Sequence, residues 1–164
     1  MLSKSIQDAL NEQIKHEFYS SYLYLSMAAY FESADWPGFA TWVRVQSEEE
    51  STHAKKFFQY VTDRGGRVVL GAIDAPPAEF KNTADVFQQV LAHEQKVTAL
   101  IDKLYALAVS EKDYASQSFL LWFIDEQVEE EKNASLICEQ LKRIGESTGS
   151  LFALDHQLGK RGGK

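Results

Sequence analysis

Apolar residues recur at helical spacing through four long stretches of the chain and one short one. In the first, from about Ser5 to Asp35, Ile6, Leu10, Ile14, Tyr22 and Leu25 keep that period, and Ala34-Asp35-Trp36-Pro37 closes it. Asp35 reads as the N-cap of the next helix, with Pro37 at an early helical position. The second stretch stops at Gly65-Gly66, a strong C-terminal signal. From Arg67 to Asn82 the helical pattern fails: Val68-Val69, Gly71 and Pro76-Pro77 predict an extended connection. A third helix is expected from Asn82 or Thr83 to about Ser110, and a fourth from about Asp113 to Ile144, stopped by Gly145. A short fifth, about Ser150 to Leu158, places Leu151, Leu154 and Leu158 on one face.

Long helices of roughly 27 to 31 residues span roughly 40–45 Å. Short loops make the first and second antiparallel, and likewise the third and fourth. At about 3.3 Å per extended residue the long connection reaches over roughly 50 Å, enough to run the length of the bundle. The second and third helices are therefore expected to be parallel. The fold class is all-α, a four-helix bundle with one long crossover plus a short fifth helix. Residues 1–158 form one domain, and 159–164, with the basic run Lys160 to Lys164, read as a flexible frayed tail.

Each long stripe is interrupted by polar residues. Glu17 falls among Leu10, Ile14, Ser21 and Tyr24; Glu50 and His53 fall among Phe39, Val43, Gln46 and Phe57. Glu94 interrupts Phe87, Val90, Val97, Ile101 and Leu104, while Gln127 and Glu130 interrupt Leu120, Phe123, Ala134, Ile137 and Leu141. The set Glu17, Glu50, His53 returns in the second half as Glu94, Gln127, Glu130 with the same internal spacing. The chain thus repeats one helical hairpin, and its carboxylates face each other across an approximate twofold axis.

A carboxylate among apolar side chains costs several kcal/mol unless it is paired, protonated or coordinated. No Lys or Arg lies on these stripes beside them. Four glutamates do carry the charge that neutralises two divalent cations. Oxygen donors with one imidazole suit iron or manganese, and zinc less selectively. Glu50 and His53, at i and i+3, point the same way, whereas their counterparts are Gln127 and Glu130. The two metal positions are therefore unequal, with tighter binding expected on the His53 side. The competing reading makes these glutamates solvated surface residues.

Glu49, Glu126 and Glu129 each sit one residue before an inward position and, with Glu130, form either a more exposed third metal site or an ordinary solvated face. His16 and His93 read as surface residues, His156 has no evident partner, and Cys138 reads as a packed thiol. Tyr24 and Trp122 either donate an electron or hydrogen bond near the metals or simply pack. No phosphate-cradling loop or nucleophile elbow is present in the sequence.

Composition narrows the remaining classes. A length of 164 residues suits one domain with a real core. A net charge of −7 argues against nucleic-acid or anionic-membrane partners and suits attraction of cations. One cysteine allows no intrachain disulfide and no zinc ribbon. The first residues lack an apolar core of signal-peptide type, no stretch is apolar enough to span a membrane, and a cytoplasmic location is expected.

Over nearly its whole length the chain resembles the bacterial-type non-haem ferritins. The resemblance is carried by Tyr22-Leu23-Tyr24-Leu25-Ser26-Met27-Ala28, Glu49-Glu50 with His53-Ala54, Arg64-Gly65-Gly66-Arg67-Val68, and Glu126-Gln127-Val128-Glu129-Glu130-Glu131. It implies a ferroxidase centre in which Glu17, Glu50 and His53 hold a first iron. Glu50 bridges to a second iron held by Glu94 and Glu130, with Gln127 close by and Tyr24 near the centre. It further implies a third iron site of Glu49, Glu126, Glu129 and Glu130. Fe(II) would be oxidised by O2 or peroxide and stored as ferric mineral in a hollow shell of 24 subunits, with the fifth helix at a fourfold contact. Bacterioferritins carry a haem-ligating Met where this chain has Ser51, so no haem is expected. Rubrerythrins need a four-cysteine module that one cysteine cannot supply. The miniature ferritins lack the fifth helix. Rival readings are a di-iron oxidase or peroxidase that uses an external reductant and stores nothing, and a metal-free structural assembly.

Overall fold

The computed structural model describes residues 2–162. Five helices follow in order: α1 Lys4–Ser33, α2 Pro37–Asp63, α3 Thr83–Ser110, α4 Tyr114–Ile144 and α5 Thr148–Leu158. Four of them begin at a side chain that accepts a hydrogen bond from an otherwise unpaired amide of the first turn. Ser3 caps Ile6, Asn82 caps Asp85, Asp113 caps Ser116 and Ser147 caps Ser150. The second helix differs. Asp35, expected to cap it, has φ of 59° and instead turns the chain in the left-handed region, so Trp36 takes the cap position without a side-chain bond. An Asp tolerates that conformation better than most residues, and the tight α1–α2 reversal requires it. The missing cap comes from a distant part of the chain: Asp155 Oδ1 in α5 accepts from the Phe39 amide at 2.8 Å.

At the other end of α2, Gly65 has φ of 70°, and the Gly65 and Gly66 amides bond back to the Thr62 and Val61 carbonyls, both at 2.9 Å. This left-handed closure satisfies two terminal carbonyls and releases the chain into the crossover. The crossover runs beside α1. Gln7 Oε1 accepts from the Arg67 amide at 3.0 Å, Asn11 Oδ1 from the Val69 amide at 3.2 Å, and the Ser26 hydroxyl donates to the Pro77 carbonyl at 2.6 Å. The partners climb from one end of α1 to the other, so α3 begins at the end of the bundle where α2 began. The two are parallel, as the length of the connection predicts.

The inward stripes are occupied as expected on α2, α3 and α4. On α1 the buried line runs Leu10, Ile14, Glu17, Ser20, Tyr24, Met27 and Phe31, with Ser21 only half-buried. Tyr22 and Leu25 project outward, contrary to the sequence expectation. Seven residues, close to two turns, separate Glu17 from Tyr24, and a face aligned on that pair carries positions 22 and 25 away from the core. Apolar packing forms two clusters. One is centred on Met27, Phe31, Phe39 and Phe87; the other is centred on Ile14, Phe57, Ile101 and Phe123. The polar residues of the stripes lie along the helices between them.

The fifth helix docks on the start of α2 by backbone approach. A Cβ placed on Gly38 would lie 1.8 Å from the Asp155 carbonyl oxygen, and one on Gly159 would lie 3.0 Å from Gly38 Cα. Trp36 packs against Phe152 with ring centroids 4.8 Å apart and planes tilted by 42°. Gly38→Ala is expected to cost about 3 kcal/mol or to detach α5, because the obstacle is main chain rather than a movable side chain. Urea unfolding followed by Trp fluorescence tests this, and an unchanged midpoint would remove the close approach from the account.

Candidate metal centre

One polar layer crosses the bundle at mid-height. Exposure of its residues is 1% for Glu17, Glu50 and Glu94, 4% for Gln127 and Glu130, and 6% for His53. Thus all six repeat-related residues are buried, and the reading of them as solvated surface charge is excluded. A donor atom from each of Glu17, Glu50 and His53 lies within 4.8 Å of the other two, and His53 Nδ1 is 3.5 Å from Glu50 Oε2. The i, i+3 spacing on α2 presents the latter pair together, and α1 brings Glu17 across to them.

The remaining carboxylates are held by neutral donors. The Tyr24 hydroxyl donates to Glu94 Oε1, and the Gln127 amide nitrogen donates to Glu94 Oε2 at 3.1 Å and to the Glu94 carbonyl at 3.2 Å. Gln46 Nε2 donates to Glu130 Oε2 at 2.6 Å, and Gln13 Nε2 to Glu17 Oε1 at 2.7 Å. Three oxygens are left buried without a partner: Glu17 Oε2, Glu50 Oε1 and Glu50 Oε2. Orphaned carboxylate oxygens are rare in protein interiors and need an explanation. Here they face the imidazole that completes a mixed oxygen and nitrogen donor set, which fits a divalent first-row metal.

Electrostatics agree with the geometry. Burial, and then the neighbouring Glu50 charge, raise the Glu17 carboxyl well above its usual range. Burial and the Glu94 charge do the same to Glu50. Glu94 is raised chiefly by burial, and Glu130 is pushed up to about 7 by burial and the Glu94 charge. Burial and the Glu94 charge also keep the Tyr24 hydroxyl protonated by raising it well above its usual value. Without cations the layer holds protons in their place.

Several surroundings were not legible in the sequence. His93, expected on the surface, packs between the rings of Tyr19 and Tyr24, at centroid distances of 5.9 and 5.8 Å, and pairs with the Ser20 hydroxyl at 2.8 Å. Burial lowers it to about 4, so it backs Tyr24 as a neutral ring. Trp122 stands edge-on to His53 at 5.3 Å, with the Lys56 ammonium 3.1 Å above its face. Cys138 is half-buried, and its thiol donates to the Phe87 carbonyl at 3.2 Å. Gln13 could have been suspected from its position one turn before Glu17.

Glu49, Glu126 and Glu129 lie toward the outside of this layer, and the charges of the latter two act on Glu49. Burial raises the Glu49 carboxyl, with Arg161 opposing. Among the described residues, these three with Glu130 do not bring three donor atoms within the 4.8 Å that unites Glu17, Glu50 and His53. Instead Arg161 Nη2 lies 2.5 Å from Glu49 Oε2. In the stretch expected to be a frayed end, Gly159–Gly162 form a turn that returns to α2; Gly163 and Lys164 fall outside the described residues.

The comparisons with known proteins agree with this arrangement. The ferritin family, described as a ferritin-like domain, matches residues 7–144. Bacterial non-heme ferritin of Staphylococcus saprophyticus is 43% identical over 161 residues, covering 98% of this chain and 96% of that protein. Bacterial non-heme ferritin of Bacteroides fragilis is 44% identical over 161 residues, covering 98% and 100%. Among solved structures, an open pore ferritin from the hyperthermophilic archaeon Archaeoglobus fulgidus superimposes with a TM-score of 0.97 at 47% identity, covering 98% of this chain and 99% of that one. A buried, repeat-related carboxylate layer and full-length likeness lead to one assignment: the chain belongs to the ferritin family, among the bacterial-type non-haem ferritins.

Proposed function

We propose that this protein oxidises Fe(II) at the buried layer and stores the ferric product inside a shell of 24 copies. The observation that carries the reading is the set of three unpartnered oxygens on Glu17 and Glu50 beside His53. Nothing in a purely structural bundle calls for such a set, because apolar residues of similar volume would cost less.

Iron here is substrate and cargo. Glu17, Glu50 and His53 would receive one ferrous ion, and Glu94 and Glu130 the other, with Gln127 close by and Glu50 between the two. Incoming cations displace the protons that burial retains on Glu17 and Glu50, so loading releases protons. Each ferrous ion gives up one electron. Two electrons and two solvent protons take dioxygen to hydrogen peroxide, or take hydrogen peroxide to two waters. The carboxylates that hold Fe(II) also balance the charge added by oxidation, which lowers the cost of Fe(III). Tyr24, donating to Glu94, and Gln127, donating to the same carboxylate, fix its orientation before iron arrives. Ferric ions then leave the layer for the cavity, with Glu49, Glu126 and Glu129 as the outer carboxylates on the way. The net charge of −7 favours cation capture throughout.

Aerobic addition of Fe(II), followed by analytical ultracentrifugation with iron detection, tests the reading. A large shell carrying many irons per subunit is expected. Two irons on a small oligomer would favour an oxidase that uses an external reductant. Absence of bound iron would remove the metal reading altogether.

A further inference from the structure

We infer that Arg161 is a displaceable internal cation that occupies the outer carboxylate Glu49 and, through Gln46, sets the direction in which Glu130 is hydrogen-bonded. The inference rests on the reading of the buried layer as an iron centre, and it adds a positioning and specificity role for a residue outside the four long helices.

After α5 the chain makes a turn, with the Lys160 amide on the Gln157 carbonyl at 3.3 Å and the Arg161 amide on the Leu158 carbonyl at 3.1 Å. Gly162 then adopts φ of 77°, and a Cβ there would lie 3.0 Å from Val45 Cγ2. The turn is thus seated on α2. Its guanidinium carbon lies 4.5 Å from the ring centroid of Trp42. Nη1 donates to Gln46 Oε1 at 2.8 Å, and Nη2 donates to Glu49 Oε2 at 2.5 Å. Trp42, Gln46 and Glu49 are spaced i, i+4, i+7 on one helix, so one planar guanidinium lies over the ring of the first and forks between the other two.

Gln46 is fully buried and reaches Glu130 with its other end, Nε2 to Oε2 at 2.6 Å. An amide side chain has one accepting and one donating end. A guanidinium only donates, so Arg161 must take the oxygen of Gln46 and leave the nitrogen for Glu130. Loss of Arg161 frees the amide to flip and removes that constraint. At the other arm, a metal ion that uses Glu49 has to displace the guanidinium. The pair permits this: the Arg161 and Glu49 side chains are 23% and 42% exposed, and ion pairs of that kind are weak. A fork of weak bonds that must open for each cation resists casual occupancy of the outer carboxylates and closes again when the ion has moved on.

Zinc, which is redox-inert, serves as the probe on the full-length protein. Its positions come from anomalous diffraction and its affinities from competitive titration, with wild type, Arg161→Ala, Arg161→Lys, Glu49→Gln, the double variant Arg161→Ala/Glu49→Gln, and His53→Ala. Arg161→Ala is expected to tighten zinc binding at Glu49 by about threefold to fivefold. The gain should be absent from the Glu49→Gln background. Arg161→Lys should fall between, because an ammonium keeps the charge without the fork, and it provides the folded comparison if the Ala variant is unstable. Crystals of Arg161→Ala should also show the Gln46 amide no longer held in one orientation. Unchanged or weaker zinc binding at Glu49 in both Arg161 variants overturns the inference, and it does so alone if wild type still places zinc at the buried layer in a His53-dependent manner. Zinc at neither layer overturns the iron-centre reading as well.

Discussion

Glu50→Ala is expected to abolish the rapid phase of ferrous oxidation, lowering the initial rate by at least about 100-fold. No other residue of the layer leaves both carboxylate oxygens buried and unpartnered, among the described residues. It also sits between Glu17 and His53 on one side and Glu94 on the other, whose charge is the largest electrostatic influence on it after burial. In the proposed assignment its loss removes a donor from both ferrous positions, whereas His53→Ala weakens one and Glu130→Ala the other. The expected order is Glu50→Ala slowest, with His53→Ala and Glu130→Ala each slowed about tenfold or more. Stopped-flow absorbance of ferric product at two irons or fewer per subunit reads this directly. Excess iron blurs it, since mineral growth then carries part of the signal. Wild-type initial rates in His53→Ala and Glu130→Ala together would place the chemistry elsewhere.

The second large effect is on stability, and its sign follows from the raised carboxyls. Glu130 is pushed from an ordinary 4.5 up to about 7, so between those values the folded chain holds a proton that the unfolded chain has lost. Folding stability then falls as pH rises through that window, by about 3 kcal/mol for a shift of this size. Glu17 and Glu50, also raised well above the usual carboxylate range by burial, act in the same direction. His93 opposes it at the acid end. Its folded-state value of about 4, below an ordinary 6.5, makes stability rise with pH between those limits. A single melting curve against pH would mix the two. The comparison that isolates the carboxyl is Glu130→Gln against wild type, both stripped of metal, since His93 contributes equally to each. The variant should gain about 3 kcal/mol relative to wild type between pH 4.5 and 8. Zinc should reverse the trend in wild type, because its ligands bind best deprotonated. A constant difference between the two proteins across that range would mean that Glu130 is not held protonated.

These two effects share one cause. Carboxylates placed on apolar stripes are unfavourable for the empty bundle and favourable for the loaded one. Stability is given up at Glu17, Glu50 and Glu130 in the metal-free chain, and in the proposed function cation binding would recover it.

The helical period already exposed this conflict, because Glu50 and His53 interrupt the line from Phe39 to Phe57 whatever the helix packs against. The repeat of the pattern in Glu94, Gln127 and Glu130 made the pairing of the two hairpins legible too. Both are local properties: a side chain's direction around a helix follows from its position in the sequence. The length of the 66–82 connection likewise bounded the topology, since an antiparallel return would not need it.

What remained hidden depends on which distant surfaces meet. Asp35 carries the right chemistry for a cap, yet the turn it must make points it away, and Asp155 supplies the bond from the far end of the chain. His93 reads as exposed because nothing along α3 reveals that Tyr19 and Tyr24 will enclose it. Arg161 belongs to a run of basic and glycine residues that carries every local sign of a loose end. Its role appears only when docking of α5 at Gly38 brings the following turn beside Trp42, Gln46 and Glu49. The sequence by itself determined the helices, their inward faces and the buried carboxylates, because these follow from periodicity and burial cost within each segment. The tertiary structure alone decided how those carboxylates are oriented and neutralised, because hydrogen bonds and ion pairs depend on the meeting of groups that the chain keeps far apart.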